Sequence, residues 1–126
     1  MTENDISFKI RGAIFKVYRN LGPGLLESVY EAVLAYELKQ LGLQVKTQVP
    51  LPVLYENIHL DIGFRVDILV NDSVIIEIKS IEALHEVHHK QVLTYLRLSE
   101  RKLGLLVNFN TDNISRCIIR KVNGLL

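Results

Sequence analysis

A mixed α/β fold with α+β character, in which helices flank one mixed β-sheet, is the architecture that this sequence predicts. Three observations predict it. Apolar residues recur at helical spacing over 6–20, 25–41 and 83–99. Between the second and third of these stretches lie three Val/Ile/Leu-rich segments joined by short connections, the pattern of an antiparallel meander. After the third comes Leu103–Phe109, a continuous apolar run typical of a strand buried on both faces. The resulting order is ααβββαββ, with no repeat, linker or low-complexity tract, and 126 residues suit one domain, 1–126.

Each element has a local reason. Ile6, Ile10, Ala13, Ile14, Val17 and Leu21 form the apolar stripe of the first helix, with Lys9, Lys16 and Arg19 on its other face. Gly22-Pro23-Gly24 breaks it, because two glycines around a proline cannot continue a helix. Leu26, Val29, Tyr30, Val33, Leu34 and Leu41 define the second helix, which Gly42 stops. Gln44–Tyr55 contains Pro50 and Pro52 and therefore reads as an edge or bent strand. Ile58–Val70 is a second strand kinked at Gly63; Asn71-Asp72-Ser73 turns the chain into a third, Val74–Ser80. Helix 83–99 follows, then the strand Leu103–Phe109, a polar turn and a last strand, Ile114–Val122.

Composition excludes several classes. A hydrophobic content of 48% with 23% charged residues is ordinary globular usage, not that of a disordered or fibrous chain. No apolar run approaches the roughly 18 residues that a membrane span needs. The N-terminal MTENDISFKI has acids where a signal peptide has bases, so the expected location is the cytoplasm. Cys117 is the lone cysteine, which excludes an intrachain disulfide and a cysteine-based zinc site. The net charge is +1, but residues 88–126 carry seven basic residues against two acids, Glu100 and Asp112. That asymmetry permits a polyanionic partner without requiring one.

The chemistry-bearing stretch runs from Gly63 to Lys79. Strand alternation sends Phe64, Val66, Ile68 and Val70 one way and Arg65, Asp67 and Leu69 the other. On the next strand Ile75, Glu77 and Lys79 share a face. A hairpin through Asn71–Ser73 brings Asp67 and Glu77 together, with Lys79 beside them. Two such carboxylates repel unless a cation lies between them, and all-oxygen ligands favour Mg²⁺ or Mn²⁺ over zinc. A polar hairpin face is also ordinary, but acids in the apolar IIEIK segment are costly unless paired or metal-bound.

Two further clusters accompany this face. His88, Gln91 and Tyr95 recur at i, i+3 and i+7 on the third helix, either as an ordinary helix flank or as a polar stripe turned towards the acids. His85 and His89 have metal-binding spacing but lack a third ligand, and His59 is isolated in its strand. At the start of the second helix Glu27 complements the helix dipole, while Tyr30, one turn on, either anchors the helix or looks onto the sheet.

Together these clusters resemble the GxxExxY protein family, a branch of the PD-(D/E)xK nuclease superfamily. Gly24-x-x-Glu27-x-x-Tyr30 matches the naming motif, Asp67 with Glu77-x-Lys79 matches the acidic core, and Gln91-x-x-x-Tyr95 matches a glutamine–tyrosine motif of the superfamily. Val66 stands where the superfamily's name has proline. The resemblance runs from about Ile6 to Ile119 and implies a restriction-endonuclease-like core and a Mg²⁺- or Mn²⁺-dependent nuclease acting on DNA. It further implies Asp67, Glu77, the Ile78 carbonyl and Glu27 as metal ligands. Lys79 would act on the attacking water or the transition state, and Gln91, Tyr95, His88 and Tyr30 would bind nucleic acid or support the site. The competing reading is a non-catalytic nucleic-acid- or protein-binding module that keeps the fold. A third is a homodimer built through the last strand and Leu125-Leu126, which would align the basic C-terminal halves.

Overall fold

The computed structural model describes residues 1–124, apart from the side chains of Asp61 and Ile62. The apolar terminus Leu125-Leu126, part of the expected dimer interface, lies outside the described residues.

Helix α1 spans Glu3–Leu21 and is opened by a capping box, in which the Thr2 hydroxyl accepts from the Asp5 amide and the Asp5 carboxylate accepts from the Thr2 amide. It ends at Gly22, whose φ of 70° suits glycine. Helix α2 spans Glu27–Gln40. Strands β1 (Val45–Tyr55), β2 (Ile58–Val70) and β3 (Val74–Lys79) form the expected meander. Helix α3 (Glu86–Ser99) then carries the chain over to β4 (Leu103–Asn108), which lies parallel to β3, and β5 (Ile118–Val122) returns antiparallel. The sheet order is β1-β2-β3-β4-β5, so the proline-bearing β1 is an edge strand as its sequence predicts.

The sheet separates two cores. On one face α1 and α2 pack Ile10, Ile14, Leu34 and Leu38 against Ile68, Val70, Ile76, Ile78 and Val107. On the other α3 packs Val92 and Leu96 against Leu69, Ile75 and Leu106. Strands β3 and β4 lie between helices on both faces and are apolar on both, which explains their continuous hydrophobic runs. Gly104 lets α3 approach closely: a Cβ there would meet Val92 Cγ1 at 3.0 Å. No helix among the described residues is long and apolar enough to cross a membrane.

Three local expectations are corrected. The segment Ile114–Cys117 is one 3₁₀ turn rather than the start of a strand. Its polar neighbours bond locally, Asn113 N–H to Thr111 Oγ1 and Ser115 Oγ to Asn113 Oδ1, and this competes with strand pairing. Helix α3 starts at Glu86, not at residue 83, because the His85 amide is capped by His88 Nδ1 at 2.9 Å. The uniform alternation along β2 also fails: Phe64 and Val66 face the α3 core, whereas Ile68 and Val70 face the α1/α2 core. The exchange of faces happens at Asp67. Opposite it on β1 sits Gln48, whose φ of 51° departs from strand geometry. The kink expected at Gly63 does occur. The β1–β2 register shifts beyond the Pro52–Gly63 pair, and a Cβ on Gly63 would collide with the Leu51 carbonyl oxygen.

A candidate active site where β2 and β3 part

The β2–β3 ladder runs from Val70–Val74 to Ile68–Ile76 and stops there. The next two residues, Asp67 and Glu77, use their side chains in place of ladder bonds. The Asp67 amide donates to Glu77 Oε1 at 3.2 Å, and the Ile78 amide donates to Asp67 Oδ2 at 2.8 Å. Each carboxylate thus caps the backbone of the opposite strand, which fixes both side chains at the notch where the strands diverge. No buried side-chain nitrogen or oxygen among the described residues is left without a partner.

Burial makes this notch electrostatically unusual. Glu77 is only 5% exposed, and burial together with the Asp67 charge pushes its carboxyl up to about 8. Lys79 opposes that rise, so its ammonium acts on the carboxylate from the same strand. Burial beside the Asp67 charge thus favours the protonated form of the Glu77 carboxyl.

The other predicted residues surround the notch unequally. Glu27, exposed at the start of α2, reaches the β3 end, where its Oε2 accepts from the Ser80 amide at 3.4 Å. Ser80 Oγ in turn donates to the Leu25 carbonyl at 2.5 Å, which ties β3 to the loop before α2. His88 titrates below the usual imidazole value, through burial and then the nearby cations, Lys79 first among them. Gln91 Nε2 donates to the Tyr95 hydroxyl at 2.6 Å, and the Tyr95 ring stacks on Phe64 at 4.2 Å between centroids. Burial, followed by the charge of Glu77, raises the Tyr95 phenol.

Tyr30 is placed elsewhere. It is fully buried, stacked on Phe109 at 4.3 Å, and its hydroxyl donates to the Gly22 carbonyl at 2.6 Å while accepting from the Leu25 amide at 3.2 Å. This gives a physical reason for the Gly24–Glu27–Tyr30 spacing. Gly24, with φ of 95°, makes the turn, Tyr30 ties the loop from below, and Glu27 emerges at the helix start facing β3. The hydroxyl of Tyr30 supports the loop and is not available to a ligand.

Sequence reasoning missed Glu31 and Gln48. Both line an open cleft of about 280 Å³ together with Glu27, Ser28 and Asp67. Gln48 Nε2 donates to Glu31 Oε1 at 2.5 Å and to Asp67 Oδ1 at 3.3 Å, so one amide bridges two carboxylates. Partial burial, together with the Asp67 charge, raises the Glu31 carboxyl. The i, i+4 spacing of Glu27 and Glu31 was a usable signal; Gln48 offered none, being one polar residue in an edge strand.

Among the described residues, no group of three or more His, Cys, Asp or Glu side chains is arranged to hold a metal ion. Two carboxylates, those of Asp67 and Glu77, do meet at the notch, and their oxygens are hard ligands. Compared with known proteins, residues 4–121 match the family model of the PD-(D/E)XK nuclease superfamily. No curated protein and no solved structure matches the chain.

Proposed function

We propose, from the premise that the chain belongs to the PD-(D/E)XK nuclease superfamily, that it is a Mg²⁺- or Mn²⁺-dependent nuclease that hydrolyses phosphodiester bonds in DNA. Its mixed α/β fold has the restriction-endonuclease-like core of that superfamily, in the same order of helices and strands. Within the superfamily we place it in the GxxExxY branch, on the Gly24, Glu27 and Tyr30 spacing.

One observation carries this reading: Asp67 and Glu77 form side-chain bonds in place of ladder bonds where β2 and β3 part, one residue pair beyond the hairpin and next to Lys79. Asp67, Glu77 and the Ile78 carbonyl are the proposed ligands of the ion. Glu27 and Glu31 line the cleft on its α2 side. When bound, the ion supplies positive charge against the phosphate and acidifies a water. Lys79 would orient an attacking water and stabilise charge on the phosphate in the transition state. Gln91 and Tyr95, bonded to each other on α3, position the substrate strand, and His88 extends the polar surface along α3.

The second reading, a nucleic-acid-binding module that does not cleave, is favoured by the lack of a three-acid cluster among the described residues. A cleavage panel separates the two. Single-stranded, duplex, flap and four-way-junction DNA, and RNA, are incubated with Mg²⁺ or Mn²⁺ and wild type, Glu77→Ala or Lys79→Ala. The nuclease reading expects cleavage that falls by roughly 10²-fold or more in each variant, the usual size for losing one electrostatic stabiliser. Cleavage retained in Glu77→Ala would sink it, and binding without cleavage in the wild type would favour the module.

A further inference from the structure

Helix α1 turns one stripe into the core and a second outwards, in which Phe15 also packs against the core and Asp5 closes the capping box. The outward stripe reads Asp5, Phe8, Gly12, Phe15 and Arg19, with spacings of three, four, three and four residues, the seam pattern of packed helices. Asp5, Phe8, Gly12 and Arg19 are exposed and Phe15 is half-buried. Phe8 is 81% exposed, an extreme value for an aromatic in the middle of a helix. Hollows flank it, one of about 320 Å³ running past Gly12 and Ala13 to Leu41 just beyond α2, the other of about 280 Å³ towards Phe15. Gly12 costs helix stability relative to alanine, and a Cβ there would meet no neighbouring atom, so the fold of one copy gives no reason for it.

We infer that α1 is the interface of a homodimer, in which two copies of the helix cross antiparallel at Gly12. The stripe is self-complementary about that residue and nowhere else. Asp5 and Arg19 lie seven residues to either side of it, so a twofold axis at Gly12 sets each Asp5 against Arg19 of the other copy. Parallel pairing would oppose like charges instead. The same axis brings Phe8 of each copy beside Phe15 and over the hollow next to Gly12 of the other. The missing side chain of Gly12 allows the two backbones to approach at the crossing. Arg11 lies over the Phe15 ring at 5.3 Å and closes the seam on one side. Lys16, paired with Glu37 at 2.8 Å, closes it on the other. The stripe and its flanking hollows share no residue with the cleft of Glu27, Glu31, Gln48 and Asp67.

Sedimentation velocity at about 1 and 100 μM protein tests the interface, at concentrations that bracket ordinary dimer affinities. The wild type is expected to be dimeric at the higher concentration. Gly12→Leu, which fills the crossing point, and Arg19→Glu, which sets like charges together, are each expected to weaken the dimer at least tenfold with an unchanged circular-dichroism spectrum. The double swap Asp5→Arg with Arg19→Glu restores the opposite charges and is expected to recover most of the affinity. A wild type that is monomeric at 100 μM overturns the inference. So does a dimer equally strong in Gly12→Leu and Arg19→Glu, which would lie on another surface, or a double swap that keeps the wild-type circular-dichroism spectrum without its Asp5 cap and yet is no better than Arg19→Glu alone. None of these readouts involves the proposed nuclease activity.

Discussion

The two ends of the β2–β3 hairpin are built in opposite ways. At the turn end, Ile68, Leu69 and Val70 face Ile76, Ile75 and Val74 in an unbroken ladder, and all six are buried. At the other end Asp67 and Glu77 abandon the ladder and satisfy backbone amides with carboxylate oxygens. The turn end gains stability by removing apolar surface from water. The open end forces a carboxyl into burial and raises its affinity for a proton or a cation. One strand pair therefore supplies both the support of the sheet and the unusual electrostatics at its edge.

The contrast can be broken first at the turn end. Ile76→Ala is expected to cost about 2–5 kcal/mol in urea denaturation through the cavity it leaves, because Ile76 is 0% exposed. Mn²⁺ affinity per folded molecule should not change, and a large loss of it would show that the two ends are not separable.

At the open end the opposite sign is expected. The Glu77 carboxyl rises from an ordinary 4.5 to about 8 in the folded protein, so the folded state keeps a proton that the unfolded state releases. Stability of the metal-free protein should therefore fall by a few kcal/mol as pH rises through that window, because each pH unit in which only the folded state holds the proton costs ~1.4 kcal/mol. Glu77→Gln, which keeps the oxygen that accepts from Asp67, should lose this slope and be more stable than the wild type at pH 8. Thermal melts in chelator at pH 5 and pH 8 check it; parallel wild-type and variant profiles would contradict it.

Smaller effects sharpen the comparison around the rim. Tyr30→Phe leaves the Gly22 carbonyl and Leu25 amide without their buried partner and is expected to cost about 1–2 kcal/mol, read from chemical denaturation. Gln48→Ala removes the amide between Glu31 and Asp67 and should cost about 0.5–1 kcal/mol near neutral pH. In a Glu31→Gln background that loss should largely disappear, and a double-mutant cycle measures whether it does.

Most of the fold was legible because its signals are local. Helical spacing placed α1 and α2 to within three residues, Pro50 and Pro52 marked β1 as an edge, and the apolar runs of β3 and LGLLVN identified strands covered on both faces. The 3₁₀ turn at Ile114–Cys117 was not legible, because its apolar residues alternate like a strand while side-chain bonds around Asn113 decide the backbone. The switch of faces at Asp67 escaped for a related reason. Alternation is a rule of regular strands, and the irregularity at Asp67 and Gln48 comes from bonds that cross between strands.

The candidate site divides along the same line. Residue types and spacing within one hairpin were enough to bring Asp67, Glu77 and Lys79 together, since a three-residue turn leaves the pairing little freedom. Glu27 and Tyr30 were visible as a spaced motif, yet their separate duties, one turned to Ser80 and the other locked beneath the loop, depend on how α2 lies over the sheet. Glu31 and Gln48 entered the cleft only through the packing of α2 beside β1 and β2. What the chain settled by itself are the elements and the contacts between near neighbours, where few conformations compete. Tertiary structure alone decided which distant side chains share a cleft and how deeply Glu77 is buried, because both depend on surfaces that exist only once the helices have closed on the sheet.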